Sequence, residues 1–144
     1  MPAAFEVNGH IIRPGRVVGF WGKDGEDQLV WAGFARSEIL PWWKKKGGEL
    51  VDIPAERFAE RSDLDRQIRW QDLAPGQVIR GIIDPNDGKP ILKAVTRAAT
   101  QEEQIKFQHP RMPLVELPLF SAKPVILKRD PVAGAGPEQG ELFS

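Results

Sequence analysis

Residues 14–36, PGRVVGFWGKDGEDQLVWAGFAR, hold two runs of valine and aromatic residues on either side of a polar stretch at 23–27. Such side chains suit a pleated, half-buried surface, and a Gly/Asp-rich break between two runs marks a turn. The stretch therefore predicts a hairpin with strands at 16–21 and 28–35. Upstream, Asn8-Gly9 separates 5–7 from 10–12 and is a two-residue hairpin signal of its own. Downstream, residues 75–98 begin in the same way, PGQVIRG (75–81) against PGRVVG (14–19) with one insertion. There too a Gly/Asp turn, at 84–89, is followed by a second strand, at 91–97. Two similar hairpins in one chain suit a small barrel or a pair of packed sheets.

The segments between and after these hairpins supply the rest of the expected layout. Residues 37–40 read as a short turn before Pro41, and 49–53 as a strand. Pro54 suits a first helical position and predicts a helix over 55–61. Ser62 and Asp65 stand at capping-box spacing and carry the helix toward Trp70, with Arg61/Asp65 and Asp65/Arg69 as i,i+4 pairs. Thr100 and Glu103 form a better capping box, opening a short helix that ends near 108 before His109-Pro110. Residues 114–120 and 125–128 read as two further strands, their prolines suited to edges. The fold class expected is thus mostly β with one or two short helices, a small β-barrel or paired hairpin sheets, OB-like or Tudor-like. One domain spans 1–130, and 131–144 (PVAGAGPEQGELFS) form a flexible tail.

Composition narrows the function classes. The chain has 144 residues, 41% hydrophobic and 28% charged, with twenty Lys+Arg balancing twenty Asp+Glu. That balance excludes a polybasic protein gripping nucleic acid over its whole surface. The zero is a cancellation, however. Residues 1–48 carry net +2, 49–72 net −3, 73–130 net +3 and the tail net −2. No cysteine removes disulfides, thiolate zinc sites and thiol nucleophiles, and two histidines make a histidine metal site improbable. No cofactor, no metal and no catalytic residue is expected. The sequence holds no P-loop, no dinucleotide fingerprint placed between strand and helix, and no calcium loop at 84–95. No leader or membrane-spanning run is visible, so the expected setting is cytoplasmic, with no membrane partner.

The cluster that carries the functional expectation is Pro41-Trp42-Trp43-Lys44-Lys45-Lys46-Gly47-Gly48. Adjacent residues of a strand face opposite sides, so two neighbouring tryptophans cannot both enter one core. At least one is expected on the surface, beside three ammonium groups and on a loop freed by two glycines. Bases stack on such rings while lysines neutralise phosphates, which is how single-stranded nucleic acid is held. Candidate nucleic-acid-binding residues are Trp42, Trp43, Lys44, Lys45 and Lys46, with Arg36. Trp21 and Trp31, on the hairpin strands, are read as core, and Trp70 is unassigned.

Two resemblances add to this. Residues 17–42, VVGFWGKDGEDQLVWAGFARSEILPW, resemble the central hairpin of Tudor and PWWP-type small barrels. That resemblance implies an aromatic cage for a cationic ligand or a DNA-binding surface. Nothing upstream of Pro14 resembles that family's first strand. In the tail, Gln139-Gly140-Glu141-Leu142-Phe143 resembles the Gln-x-x-Leu-Phe peptide by which bacterial replication and repair proteins dock on the sliding clamp. The resemblance implies that Leu142 and Phe143 enter an apolar pocket while Gln139 bonds at its rim. Glu116-Leu117-Pro118-Leu119-Phe120 resembles the same peptide with Glu in place of Gln, within a run that reads as a core-packed strand. The expected function is a non-enzymatic accessory protein of bacterial or phage DNA metabolism, with nucleic acid and a clamp-like protein as partners. The alternative is an adaptor or inhibitor acting on a replication or transcription complex through a dry interface.

Overall fold

Eight strands of one sheet curl into a half-barrel, and a second, four-stranded sheet packs against its inner face. The computed structural model describes residues 2–7, 9–15, 17–22, 25–119 and 123–124, and among these the side chains outside 17–22, 25–28 and 123–124. Residues 125–128 and the tail, including Gln139, Leu142 and Phe143, lie outside the described residues.

The first hairpin forms as its Asn-Gly signal requires: β1 (Pro2–Val7) pairs antiparallel with β2 (His10–Ile12), Val7 opposite His10. β3 (Val17–Gly22) and β4 (Gly25–Arg36) form the second hairpin, paired from Val17 opposite Val30 to Gly22 opposite Gly25. A 3-10 turn (Ser37–Ile39) then leads into helix α1 (Leu40–Lys45), and β5 (Glu49–Ile53) follows.

The helix expected over 55–61 and beyond is absent. The segment instead forms β6 (Arg57–Arg61) and β7 (Ile68–Asp72), an antiparallel pair with β6 docked on β1. The reason is that one chemistry serves two structures. Ser62 Oγ accepts from the N–H groups of Leu64 and Asp65, as an N-cap would, but here it closes a hairpin turn in which Arg66 takes a positive φ. The Asp65–Arg69 ion pair does form, at 2.7 Å, from the turn onto β7 rather than along a helix.

β8 (Val78–Asp84) and β9 (Ile91–Ala98) form the fourth hairpin. Helix α2 (Gln101–Phe107) opens with the expected capping box between Thr100 and Glu103. Short β10 (Arg111–Pro113), β11 (Val115–Glu116) and β12 (Lys123–Pro124) finish the described chain. Sheet order is β2-β1-β6-β7 in the small sheet and β12-β5-β8-β9-β4-β3 in the large one, with β10 on β9 and β11 on β8. The second strands of the two Pro-Gly hairpins, β4 and β9, lie side by side and parallel.

The main core fills the space between the sheets. Phe5 stacks on Trp31 at 4.2 Å across the two layers, with Ile53, Ile79, Leu92 and Phe107 around them. A bulge in β4 between Trp31 and Phe34, at Gly33 (φ +91°), shifts the side-chain alternation by one. Trp31 and Phe34 therefore both face the core, and Ala35 turns to the opposite side of the sheet.

That opposite side is where the chemistry collects. A smaller apolar cluster of Ala35, Ile82 and Val95 is covered by Leu40 and Trp43 of the helical turn after β4. Beside it Arg80, 1% exposed, bonds Asp52, Glu116 Oε1 (2.6 Å) and the carbonyls of Val51 (2.8 Å) and Leu117 (3.2 Å). Those bonds tie β5, β8 and β11 together. Glu116 is thus taken up by Arg80, while Leu117 and Leu119 are exposed. The 116–119 run is not core-packed, because β11 ends at Glu116 and a proline follows Leu117.

Candidate nucleic-acid interface

Trp42 and Trp43 sit on α1, not on a strand or loop. Pro41 occupies its first turn, where a missing N–H costs nothing. Successive helical residues point about 100° apart, so the pair divides between surface and core for a different reason than strand alternation. Trp42 is 48% exposed. Trp43 packs onto Ala35, Ile82 and Val95, and its indole N–H is buried with no acceptor among the described residues. The rings meet edge to face at 4.9 Å.

Gly47 and Gly48 do not loosen this element; they end it. Lys46 caps the helix, its N–H shared by the carbonyls of Trp42 and Trp43 at 3.2 Å, and Gly47 follows with φ +94°. A Cβ on Gly48 would come within 2.8 Å of Ile82 Cδ1 and 2.9 Å of the Trp43 carbonyl. The glycines therefore let the chain turn tightly against the sheet and fix where the tryptophans stand.

Four ammonium groups gather here. Lys44, Lys45 and Lys46 are exposed on α1 and its cap. Lys46 Nζ lies 4.8 Å from the centre of the Trp42 ring, four residues back on the same helical face. Lys93, absent from the residues picked out in the sequence, places its Nζ 5.3 Å from the Trp43 ring and donates to the Ala32 carbonyl at 3.3 Å. The alternation at 91–94 is the available signal: Leu92 and Ala94 face the core, so Lys93 faces out. Which element waits on that face is a tertiary fact. Arg36 is exposed at the end of β4, and the 3-10 turn separates it from α1. The structure thus groups Trp42, Trp43 and the three lysines, adds Lys93, and leaves Arg36 at the margin.

Other polar groups are committed to the fold. Arg111 holds Glu38 through two bonds, 2.7 and 2.9 Å, keeping that carboxyl down at about 2. Arg97 does the same to Glu103, which also caps Thr100 and stands at about 2. Glu60 is buried on the same strand face as Phe58, and burial lifts its carboxyl to about 7. Among the described residues no group of three His, Asp or Glu is placed to hold a metal ion. No helix among them is long and apolar enough to cross a membrane. No protein-family model, curated protein or solved structure matches this chain.

Proposed function

We infer that the chain is a non-enzymatic accessory protein of bacterial or phage DNA metabolism, acting in the cytoplasm. It binds single-stranded nucleic acid through Trp42 and the lysines of α1 and carries a clamp-docking peptide in its tail. The observation that supports the reading is a half-exposed indole, rigidly seated by its neighbour, among Lys44, Lys45, Lys46 and Lys93. Trp42 offers a stacking surface; the ammonium groups neutralise phosphates; Trp43 is mainly the anchor. In the tail, Gln139, Leu142 and Phe143 supply the docking contacts.

The test is binding of a fluorescein-labelled thymidine oligonucleotide across a salt titration. Affinity should fall steeply with ionic strength, with a log–log slope of roughly −2 to −3 if three or four lysines each meet a phosphate. No binding at low salt overturns the nucleic-acid half. Deleting residues 138–144 should abolish capture by an immobilised bacterial sliding clamp without moving the melting temperature, and retained capture overturns the docking half. Partner binding that ignores salt and shows a large negative heat-capacity change would instead favour the adaptor reading.

A further inference from the structure

A cleft of about 550 Å³ between β7 and α2 is lined by side chains of the inner core, whereas the lysine cluster stands on the outer face of the large sheet. Its floor is formed by Phe58, Leu73, Phe107, Met112 and Val115. It meets the end of β7, the last strand of the small sheet, at Gln71 and Asp72, with Leu73 just beyond; Ile68 and Trp70 line a smaller hollow beside Ala4 and Ala59.

Two hydrogen bonds decide which backbone groups of β7 look outward. Leu73 N–H donates to the Glu56 carbonyl, and Ser62 N–H donates to the Gln67 carbonyl, both at 2.9 Å. Odd-numbered residues therefore turn their peptide groups toward β6. By alternation Ile68, Trp70 and Asp72 turn theirs away from it. Among the described residues no strand pairs on that side. Two of the usual protections of an edge are missing, since β7 (IRWQD) holds no proline and its register with β6 has no bulge; its charges are Arg69, paired with Asp65, and Asp72.

Across the cleft α2 is pinned to the same hairpin. Asp63 N–H donates to the Gln108 carbonyl (3.0 Å), Ser62 Oγ to Gln108 Oε1 (2.5 Å), and Lys106 Nζ to Gln71 Oε1 (2.8 Å). The result is a slot that the open edge of β7 enters at its C-terminal end, with a fixed helix across from it and an apolar floor. Its charges are unevenly committed. Arg97 is held by both oxygens of Glu103, and Lys106 by Gln71. Asp72 and Glu102 form no ion pair among the described residues, though Asp72 stands opposite Arg57 on β6; with Lys106 bonded only to a neutral amide, the three acids and two bases of the lining leave the rim with a net charge of −1.

We propose that this slot receives an extended peptide segment of a partner protein, with apolar and basic residues alternating, as a fifth strand on β7. Main-chain bonds to Ile68 and Trp70, and to the N–H of Asp72, whose carbonyl already accepts from Gln71 Nε2 at 3.1 Å, hold the segment. Its apolar side chains enter the cleft, and its cations meet Asp72 and Glu102. The inference is independent of the nucleic-acid reading.

The probe is a fluorescein-labelled heptapeptide alternating Lys and Val, titrated into the full chain and followed by anisotropy. A heptapeptide alternating Glu and Val is the charge-reversed control. The Lys–Val probe should bind and the control should not. Trp70→Pro and Ile68→Pro remove only N–H groups that point away from β6. Each should weaken the probe about tenfold or more, the loss of roughly one hydrogen-bonded pair. Trp70→Ala, which keeps its N–H, should weaken it less than Trp70→Pro. Glu102→Lys should weaken it about threefold, and Trp42→Ala should leave it unchanged. Circular dichroism shows which proline variant is folded, and a folded one that binds like wild type overturns the proposal. So does equal binding of both peptides, or binding of neither. Tighter binding of the probe after removal of residues 125–144 would mean that this chain's own tail fills the slot, and overturns the assignment to a partner.

Discussion

The two faces of the large sheet are built from the same strands and differ in chemistry. The inner face, with Trp31, Ile53, Ile79 and Leu92, is apolar and sealed by the small sheet. The outer face interleaves a small apolar cluster with the Arg80 network and the lysines around α1. Consecutive residues of one strand serve both: Leu92 and Ala94 look inward while Lys93 looks out. The lesson is that a sealed apolar core and a cationic surface can be separated by a period of two. A substitution on the inner face, or in the buried part of the outer face around Arg80 and Trp43, should then change melting, and one among the exposed side chains around α1 should change binding.

The largest expected effect tests the inner face. Trp31→Ala removes the ring stacked on Phe5 and should cost about 3–5 kcal/mol in urea denaturation. Arg80→Ala probes the part of the outer face that is buried. Asp52, 8% exposed, would be left without its cation, and the loss should be about 3 kcal/mol. If Arg80→Ala were silent, the outer face would not be held by its ionic network. Trp43→Ala should cost less, about 1–3 kcal/mol, because its ring is only partly buried against Ile82 and Val95.

Glu60 is an exception that sharpens the comparison, a carboxyl on the inward side of β6. Its proton is held more tightly in the native state, at about 7 against an ordinary glutamate value of 4.5, because burial penalises the charge and Asp63 repels it. Its contribution to stability is therefore present below about pH 4.5 and lost as pH rises through about 7. Thermal melts should show wild type losing stability over that window and Glu60→Gln losing less. An unchanged slope in Glu60→Gln would contradict the assignment.

Much of this architecture is legible because its signals are local. Asn8-Gly9, the two Pro-Gly hairpins and the Thr100–Glu103 capping box each specify a turn or a helix start with few alternatives. The stretch at 55–70 reads as helix and folds as hairpin because Ser62 and Asp65 make the same bonds in an N-cap and in a hairpin turn. What decides between them is the open edge of β1, more than fifty residues earlier in the chain. The Trp42-Trp43 pair stands out in the sequence, but its element does not, since Gly47-Gly48 reads equally as loop and as helix terminator until Ile82 is seen against Gly48. That Lys93 points outward follows from the alternation at 91–94, but the Trp43 ring it meets does not, and the β7–α2 slot has no local signature; each depends on which elements come to face one another.

The smallest effect on stability carries the central claim. Trp42→Ala removes a half-exposed ring and should shift stability by no more than about 0.5 kcal/mol. The same substitution should weaken binding of a labelled thymidine oligonucleotide at low salt about tenfold or more, as expected for loss of one stacked base. An unchanged oligonucleotide affinity in a Trp42→Ala protein that melts like wild type would contradict the account.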